Sequence, residues 1–557
     1  MKKRGFIRFI ALLLLLGFAG CGAEKPIPTE QPTASETAET AVIPELVIGT
    51  TGLIENAVRN EYQYDMLASG TTELPLVCQD WTGDYAPLLA EFKTEDAQTW
   101  TYTIRSGLTW DDGEPVTAED ILFTLQYDEQ NGTAVFSDQT DSEGNVTKAK
   151  YAGYTLSADQ RSISLRLNTP NIRELSNMTS FRIMPKHIYE GRSAVSEAEA
   201  RIGCGPYRFI EFNREAGTIT FKANPLYPEQ PKVGKLVFRM FGNEETMYIA
   251  LQNGDIDMVW NYSVGVPETY QAVLKQANIT HVPAAGEPAV LAFNNSRGIF
   301  ANEALRKAVS YALDYEQFRT YFGSVNSEIP NRGFVPPMTL GFTETEKLTG
   351  DTAEAERYMR EAGYAAKNAE GFYVNGEGKT AEFTLSYNAA KENHVGCAEL
   401  IKTQLEAFGI RVNLDSCDKD SYNAKTSNKF SGNNITMEAA IYGYTAAGMG
   451  MGSGLGTIYV DGAHSVQGGC QVFDGEFVEA RDRMANAGTI EEYCEGAEAM
   501  QRFYAAHTPL IALYWDDIAY AYRPGLAVEG DKPLYVDALF GLNHVKNWVS
   551  IVDRDNG

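Results

Sequence analysis

The chain has 557 residues, of which 44% are hydrophobic, so it is long enough to bury more than one core. Acidic residues outnumber basic ones by 74 to 47, and the formal net charge of −27 disfavours nucleic acid and anionic membrane surfaces as partners. The six histidines show no metal-ligand spacing and the seven cysteines include no C-x-x-C pair, so the sequence predicts no metal site and no cofactor.

Residues 1–21 have the pattern of an export signal. Basic residues are followed by a short apolar run over 10–18, and the segment ends in Ala19-Gly20-Cys21, which resembles a bacterial lipobox. Cys21 is therefore predicted to carry lipid, and the membrane would be reached only through that anchor. An ordinary signal peptide with an incidental cysteine is the alternative. Residues 22–43 are rich in Pro, Thr, Ala and Glu, and they predict a disordered tether.

The stretch 98–127 predicts a strand, a turn and a helix. Apolar and polar residues alternate over 100–105, which is the period of a half-buried strand. A turn is predicted at 111–113, and Thr117 and Asp120 have the spacing of a helix capping box. Turn and cap chemistry explains these polar residues without any catalytic role.

The same patterns predict further elements along the chain. Strands are expected at 45–50, 162–167 and 235–240. Helices are expected within 55–67 and at 244–252, 302–313 and 315–322, with Asp314 as the cap of the last one.

The carboxyl-terminal half predicts a second sheet. Apolar strands are expected at 381–387, 410–416, 437–445 and 508–515. A helix at 394–408, closed by Gly409, joins the first two of them in a β-α-β unit. We expect these strands in the sheet of a second large lobe.

No constellation for catalysis is found in the sequence. The glycine-rich run 446–456 follows a strand, but it lacks the G-K-[ST] of a nucleotide loop. There is no G-x-S-x-G and no H-E-x-x-H, and Asp255 and Asp257 have no nearby histidine or nucleophile. A secreted hydrolase or lyase is the alternative class, and we expect no enzyme and no catalytic residue.

Several motifs resemble those of the family 5 extracellular solute-binding proteins, which serve ABC importers. They are L-x-W-x-D-G-E-P-V-T-A-E-D at 108–120, G-C-G-P-Y-R-F at 203–209 and R-x-A-x-x-x-A-x-D at 306–314. The resemblance covers about residues 45–540. It implies an α/β, two-lobed periplasmic-binding-protein-like fold (class II, cluster C) with an extra inserted subdomain and a central inter-lobe cleft.

The resemblance also implies a division of the chain. Lobe I is expected to comprise 44–71, 199–283 and 516–557. The subdomain inserted into lobe I is expected at 72–198, and lobe II at 284–515.

The function implied is that of a lipid-anchored, extracytoplasmic receptor that captures a solute, a peptide above all, by hinge closure. The implied partners are the solute, an ABC permease and its ATPase, and the protein is expected to be a monomer. A nickel chelate or an oligosaccharide as ligand, and a peptide-pheromone sensor, are the alternatives left open.

The expected ligand contacts come from the same resemblance. In peptide-binding members, the strand matching 437–445 ends in G-W-x-x-D, whose acid receives the α-ammonium group of the ligand. Here Tyr444 stands at the aromatic position and Ala447 at the acid's, so Asp461 is a candidate substitute. The other candidates are Tyr442, Asn294, Tyr387 and Trp515, for each of which core packing is the rival interpretation.

Overall fold

The structure is a computed structural model that describes residues 43–555 with internal gaps. The gaps are 60, 80–84, 141–143, 145, 262–264, 273, 275, 283–288, 325, 336, 338, 428–433, 444–468, 473, 531 and 537–541. Among the described residues, no helix combines the length and the apolarity needed to cross a bilayer.

The strands are β1 (Leu46–Thr50), β2 (Val77–Gln79), β3 (Tyr85–Pro87), β4 (Ala90–Lys93), β5 (Thr99–Ile104), β6 (Gln139–Thr140), β7 (Val146–Thr147), β8 (Tyr151–Leu156), β9 (Ser162–Leu167), β10 (Tyr207–Asn213), β11 (Thr218–Ala223), β12 (Lys235–Met240), β13 (Met258–Val259), β14 (Asn278–Val282), β15 (Ala289–Phe293), β16 (Ala366–Lys367), β17 (Tyr373–Val374), β18 (Glu382–Asn388), β19 (Arg411–Cys417), β20 (Ala439–Gly443), β21 (Leu510–Ala512), β22 (Ile518–Tyr522), β23 (Leu526–Val528) and β24 (Ile551–Asp553).

The helices are α1 (Tyr62–Ala68), α2 (Ala118–Gln130), α3 (Glu174–Met178), α4 (Lys186–Tyr189), α5 (Glu197–Ala200), α6 (Glu244–Asn253), α7 (Glu268–Gln271), α8 (Glu303–Ala312), α9 (Tyr315–Phe322), α10 (Thr352–Glu361), α11 (Glu392–Phe408), α12 (Lys419–Thr426), α13 (Gly475–Ala485), α14 (Ile490–His507) and α15 (Val545–Ser550).

A seven-stranded mixed sheet forms the first lobe, in the order β10-β11-β12-β1-β13-β22-β14. Strand β1 runs parallel to β12 and β13, whereas β22, from near the carboxyl terminus, is antiparallel to its neighbours. The amino-terminal and carboxyl-terminal parts of the chain therefore share one sheet, whose buried face includes Leu46, Phe238 and Tyr520.

A four-stranded antiparallel sheet, β4-β5-β9-β8, belongs to the inserted subdomain. The predicted alternation over 100–105 is confirmed, because Trp100, Tyr102 and Ile104 are buried while the residues between them are half-buried. The capping pattern is confirmed as well, since the Asp120 carboxylate accepts a hydrogen bond from the Thr117 amide at 2.8 Å at the start of α2.

A five-stranded sheet, β19-β18-β20-β15-β21, forms the second lobe. The predicted β-α-β unit is confirmed as β18-α11-β19, with parallel strands and Gly409 ending the helix at φ 118°. Its helix begins at Glu392, two residues before the predicted start, because the N-cap is Lys391.

Two of the predicted strands are shorter in the structure. The stretch 508–515 forms a strand only over β21, because Trp515 pairs outside the sheet with Glu328. The stretch 437–445 forms a strand over β20, and its last residues lie outside the described part of the chain. The limits predicted for the lobes and the insertion stay predictions.

Candidate functional site

In both large sheets, the carboxyl ends of the parallel strands lie at the edge where the chain passes from one lobe to the other. In the first lobe these ends are Thr50 and Met240, and in the second they are Asn388, Cys417 and Gly443. The chain crosses between the lobes twice, from β14 to β15 and from β21 to β22. Strand β15 begins opposite Gly443, and β22 begins beside the end of β14, so both crossovers lie at these edges. Open α/β sheets bind ligands at the carboxyl ends of their strands, so we take these facing edges as the candidate site.

The edge of the first lobe has a hydrogen-bonded polar corner. The Asn261 side-chain oxygen accepts hydrogen bonds from the Thr51 amide at 2.8 Å and from the Thr50 hydroxyl at 3.0 Å. Leu53, three residues beyond β1, exposes 67% of its surface. These residues were missed in the sequence, where only the T-T-G step after a strand marked the place.

The edge of the second lobe brings together three of the predicted site residues, all of them mostly buried. Tyr387 packs on one face of the sheet, while Tyr442 and Trp515 pack on the other. The Tyr442 hydroxyl donates a hydrogen bond to the Thr426 carbonyl at 2.9 Å. Tyr442 is therefore part of the packed core beneath this edge of the sheet.

Asn294 is not brought to this edge. It follows the carboxyl end of β15, which is antiparallel to β20 and so ends at the opposite side of the sheet. Its side chain is 1% exposed, and its amide donates to the Met437 carbonyl at 3.1 Å while its oxygen accepts from Ser296. The sequence grouped Asn294 with the site because strand direction within a mixed sheet has no local signal.

Tyr444, Asp461 and Cys21 lie outside the described residues, as does Ala447. Their predicted roles stay predictions.

Two carboxylates from opposite lobes lie close enough for their charges to interact. Glu244 is the first residue of α6 in the first lobe, and Glu392 is the first residue of α11 in the second. Burial raises the pKa of Glu244, and the negative charge of Glu392 raises it further. The two carboxylates therefore repel each other when both are ionised.

A polar cluster ties the lobes together where the chain crosses between them. Asp517, just before β22, accepts hydrogen bonds from Ser324 and Asn326 of the second lobe, both at 2.6 Å. The same carboxylate lies 2.5 Å from Nδ1 of His281 in β14 of the first lobe. These contacts tie the crossover to residues of both lobes.

Within the described ranges, no three His, Cys, Asp or Glu side chains come together as a metal ion would need. The described side chains at these edges offer hydrogen-bonding groups, apolar surface and carboxylate charge.

Comparison with known proteins gives the site its context. The family model described as bacterial extracellular solute-binding proteins, family 5 Middle, matches residues 84–450. The dipeptide-binding protein DppE of Bacillus subtilis (strain 168) is 27% identical over 336 residues, which cover 58% of this chain and 60% of DppE. The nickel-binding periplasmic protein of Escherichia coli (strain K12) is 22% identical over 372 residues, covering 65% of this chain and 68% of the relative. The match with DppE thus spans less than two thirds of that protein's length.

Solved structures share the fold. A periplasmic oligopeptide-binding protein of an oligopeptide ABC transporter from Thermotoga maritima superposes with a TM-score of 0.75 at 18% identity, covering 91% of this chain and 99% of the other. The oligopeptide-binding protein AppA from Bacillus subtilis, in complex with a nonapeptide, superposes with a TM-score of 0.68 at 19% identity, covering 92% and 100%. The fold is thus the predicted two-lobed α/β fold, and with the family model matching well over half of its length, the chain belongs to the bacterial extracellular solute-binding proteins of family 5.

Proposed function

We propose that the chain is the receptor of an ABC importer, which captures a peptide between its lobes and delivers it unchanged to the permease and its ATPase. The observation that carries this proposal is the family match over 84–450 on a structure whose two sheets face their strand ends toward the crossovers. Solute binding would shift an equilibrium between open and closed lobes, and the closed form would dock on the permease.

The proposal includes the attachment of the receptor to the outside of the cell membrane. Lipid on Cys21 would hold the chain, and residues 22–43 would act as a tether that lets a monomeric body reach the permease. Metabolic labelling with a fatty acid tests this part, because Cys21→Ser should abolish the label and release the protein from the membrane.

The identity of residue 447 limits which kind of peptide we expect as the ligand. Ala447 stands where peptide-binding members carry the acid for the ligand's α-ammonium group, so recognition of a free amino terminus would lack its usual partner. We propose that the ligand is a peptide bound without that contact, such as an N-blocked or cyclic peptide, with Tyr444 and Asp461 among the contacts.

Calorimetric titration with matched peptides, free and N-acetylated, tests the proposed function. We expect the acetylated member of each pair to bind at least as tightly as the free one. The variant Ala447→Asp should favour the free peptide by about tenfold, because a charged hydrogen bond is gained. No binding to any peptide, together with binding of a nickel chelate or an oligosaccharide, would overturn the peptide assignment.

A further inference from the structure

The inserted subdomain is fastened to the first lobe by charged contacts. The ion pairs between them include Arg59–Glu73 at 2.9 Å, Arg182–Asp65 at 2.8 Å, Arg208–Asp111 at 3.5 Å and Arg105–Glu229. The amides of Cys204 and Gly205 also donate to the Thr72 carbonyl, each at 3.0 Å. The subdomain should therefore move with the first lobe when the two lobes separate.

The loop after β9 carries a contact between this subdomain and the second lobe. The Ile172 amide donates a hydrogen bond to the Ala487 carbonyl at 2.8 Å. The Asn171 side-chain amide donates to the Ala485 carbonyl at 3.0 Å. Both acceptors lie at the end of α13, so the loop is held at two successive points of one short segment.

Close packing accompanies these two hydrogen bonds. A Cβ added at Gly488 would lie 3.3 Å from the Cβ of Pro170, which is tighter than most Cβ contacts, so the two segments pack closely there. Ile172 and Tyr85 pack against the buried clusters of both the subdomain and the second lobe. Hydrogen bonds and apolar packing make this contact, whereas ion pairs join the subdomain to the first lobe.

We propose that residues 170–172 and 485–488 form a latch that holds the lobes closed and so sets how long a solute is retained. The inference rests on the proposed function, because it requires lobes that open and close. Since the subdomain is fastened to the first lobe, opening must break the two hydrogen bonds of the latch. Each such bond contributes a modest net free energy, so the latch can release without unfolding either side.

A cysteine cross-link tests whether the contact opens. Pro170→Cys and Gly488→Cys place two Cβ atoms within reach of a disulfide, in a Cys494→Ser background that removes the partly exposed cysteine nearby. We expect the oxidised, solute-free protein to have a smaller radius of gyration by X-ray scattering than the reduced protein. Identical scattering of the two forms would mean that the contact is permanent, and the latch would be refuted.

Matched asparagine variants test the hydrogen bond itself. Asn171→Asp removes the donor to Ala485 but keeps the oxygen that accepts from the Arg173 amide. We expect it to lower the ratio of closed to open molecules by about fivefold, measured by energy transfer between dyes on cysteines at Arg166 and Glu377. Asn168→Asp changes the charge equally but loses only a bond to Ala149 within the subdomain, so it should leave the ratio unchanged.

Matched glycine variants test the close packing. Gly488→Gln should act as a wedge and open the lobes, whereas Gly475→Gln, which has open space around it, should not. An equal ratio of closed to open molecules in wild type, Asn171→Asp and Gly488→Gln would overturn the latch. If these variants open the lobes but no peptide binds, the latch stands and the peptide receptor fails. If peptide binds while the contact never opens, the latch alone fails.

Discussion

Tyr442 illustrates how one residue can satisfy two interpretations of a sequence pattern. A tyrosine near the end of a strand at the site edge suits a ligand contact, yet its ring is 5% exposed and its hydroxyl serves the Thr426 carbonyl. Tyrosine rings are found both on the surface of ligand clefts and in the packing beneath that surface. Which role a tyrosine has depends on the face of the strand from which its side chain projects. The structure favours a structural role for this side chain.

The variant Tyr442→Phe separates the two roles. It removes the donor to the Thr426 carbonyl, and we expect it to lower the free energy of unfolding by about 1 kcal/mol. Solute affinity, measured by calorimetry, should change by no more than about twofold, which is less than 1 kcal/mol, because this hydroxyl bonds within the protein. A large loss of affinity without loss of stability would instead make Tyr442 a ligand contact.

His394 should make the stability of the second lobe depend on pH. The side chain is 2% exposed, and neither ring nitrogen has a hydrogen-bond partner in the described part of the chain. Burial lowers the pKa of His394 to about 3, and the nearby Lys391 contributes to the shift. The unfolded chain therefore takes up the proton more readily than the folded chain between about pH 6.5 and pH 3.

Because of this difference, neutral His394 contributes fully to the free energy of unfolding above about pH 6.5. That contribution is lost as the pH falls, by up to about 1.4 kcal/mol per pH unit. Urea denaturation at pH 4, 5, 6 and 7 measures the slope. His394→Leu should flatten the slope within this window, and an unchanged slope in that variant would contradict the assignment.

At the scale of elements, local patterns predicted most of the framework. The alternation of β5 and the cap of α2 depend on neighbours within one strand or one turn, and both are present. The β18-α11-β19 unit is present as well, and each of its three consecutive elements has its own local pattern. The approach of Glu244 to Glu392 and of Asn171 to Ala485 joins residues far apart in sequence, so no local pattern could reveal it. The position of Asn294 depends on distant residues in the same way, since the direction of β15 is set by the topology of the sheet.

Gly409 shows a turn that sequence reasoning placed correctly and that should tolerate no side chain. Its φ is 118°, and an added Cβ would lie 2.9 Å from the Gly371 carbonyl oxygen. We expect Gly409→Ala to lower the free energy of unfolding by about 2 kcal/mol, combining backbone strain and the close contact.

The control is Gly363→Ala, which also has a positive φ, 88°, but open space around the added carbon. This substitution should lower the free energy of unfolding only through backbone strain, by about 1 kcal/mol. Equal losses for the two glycines, measured by chemical denaturation, would mean that the contact with Gly371 contributes nothing.

At the scale of the whole molecule, charge and packing act in opposite directions on lobe closure. The latch between 170–172 and 485–488 favours the closed form, while the Glu244 and Glu392 carboxylates oppose it. If the proposed function holds, a chain balanced in this way would close when a solute adds its own contacts between the lobes.

The variant Glu244→Gln tests the repulsive half of that balance. We expect about a twofold rise in the ratio of closed to open molecules at low ionic strength, which fades as salt screens the charges. Lower pH should act in the same direction, because burial and the charge of Glu392 raise the pKa of Glu244, and protonating this carboxylate removes the repulsion. Glu245→Gln, an exposed neighbour on α6, is the control and should leave the ratio unchanged.

The central claim is that this chain binds a solute between two lobes that close around it. X-ray scattering of the solute-free protein during titration with a peptide that binds calorimetrically tests that claim most directly. We predict that the radius of gyration falls along the binding isotherm and levels off at saturation. Full saturation with no change in the radius of gyration would contradict the account.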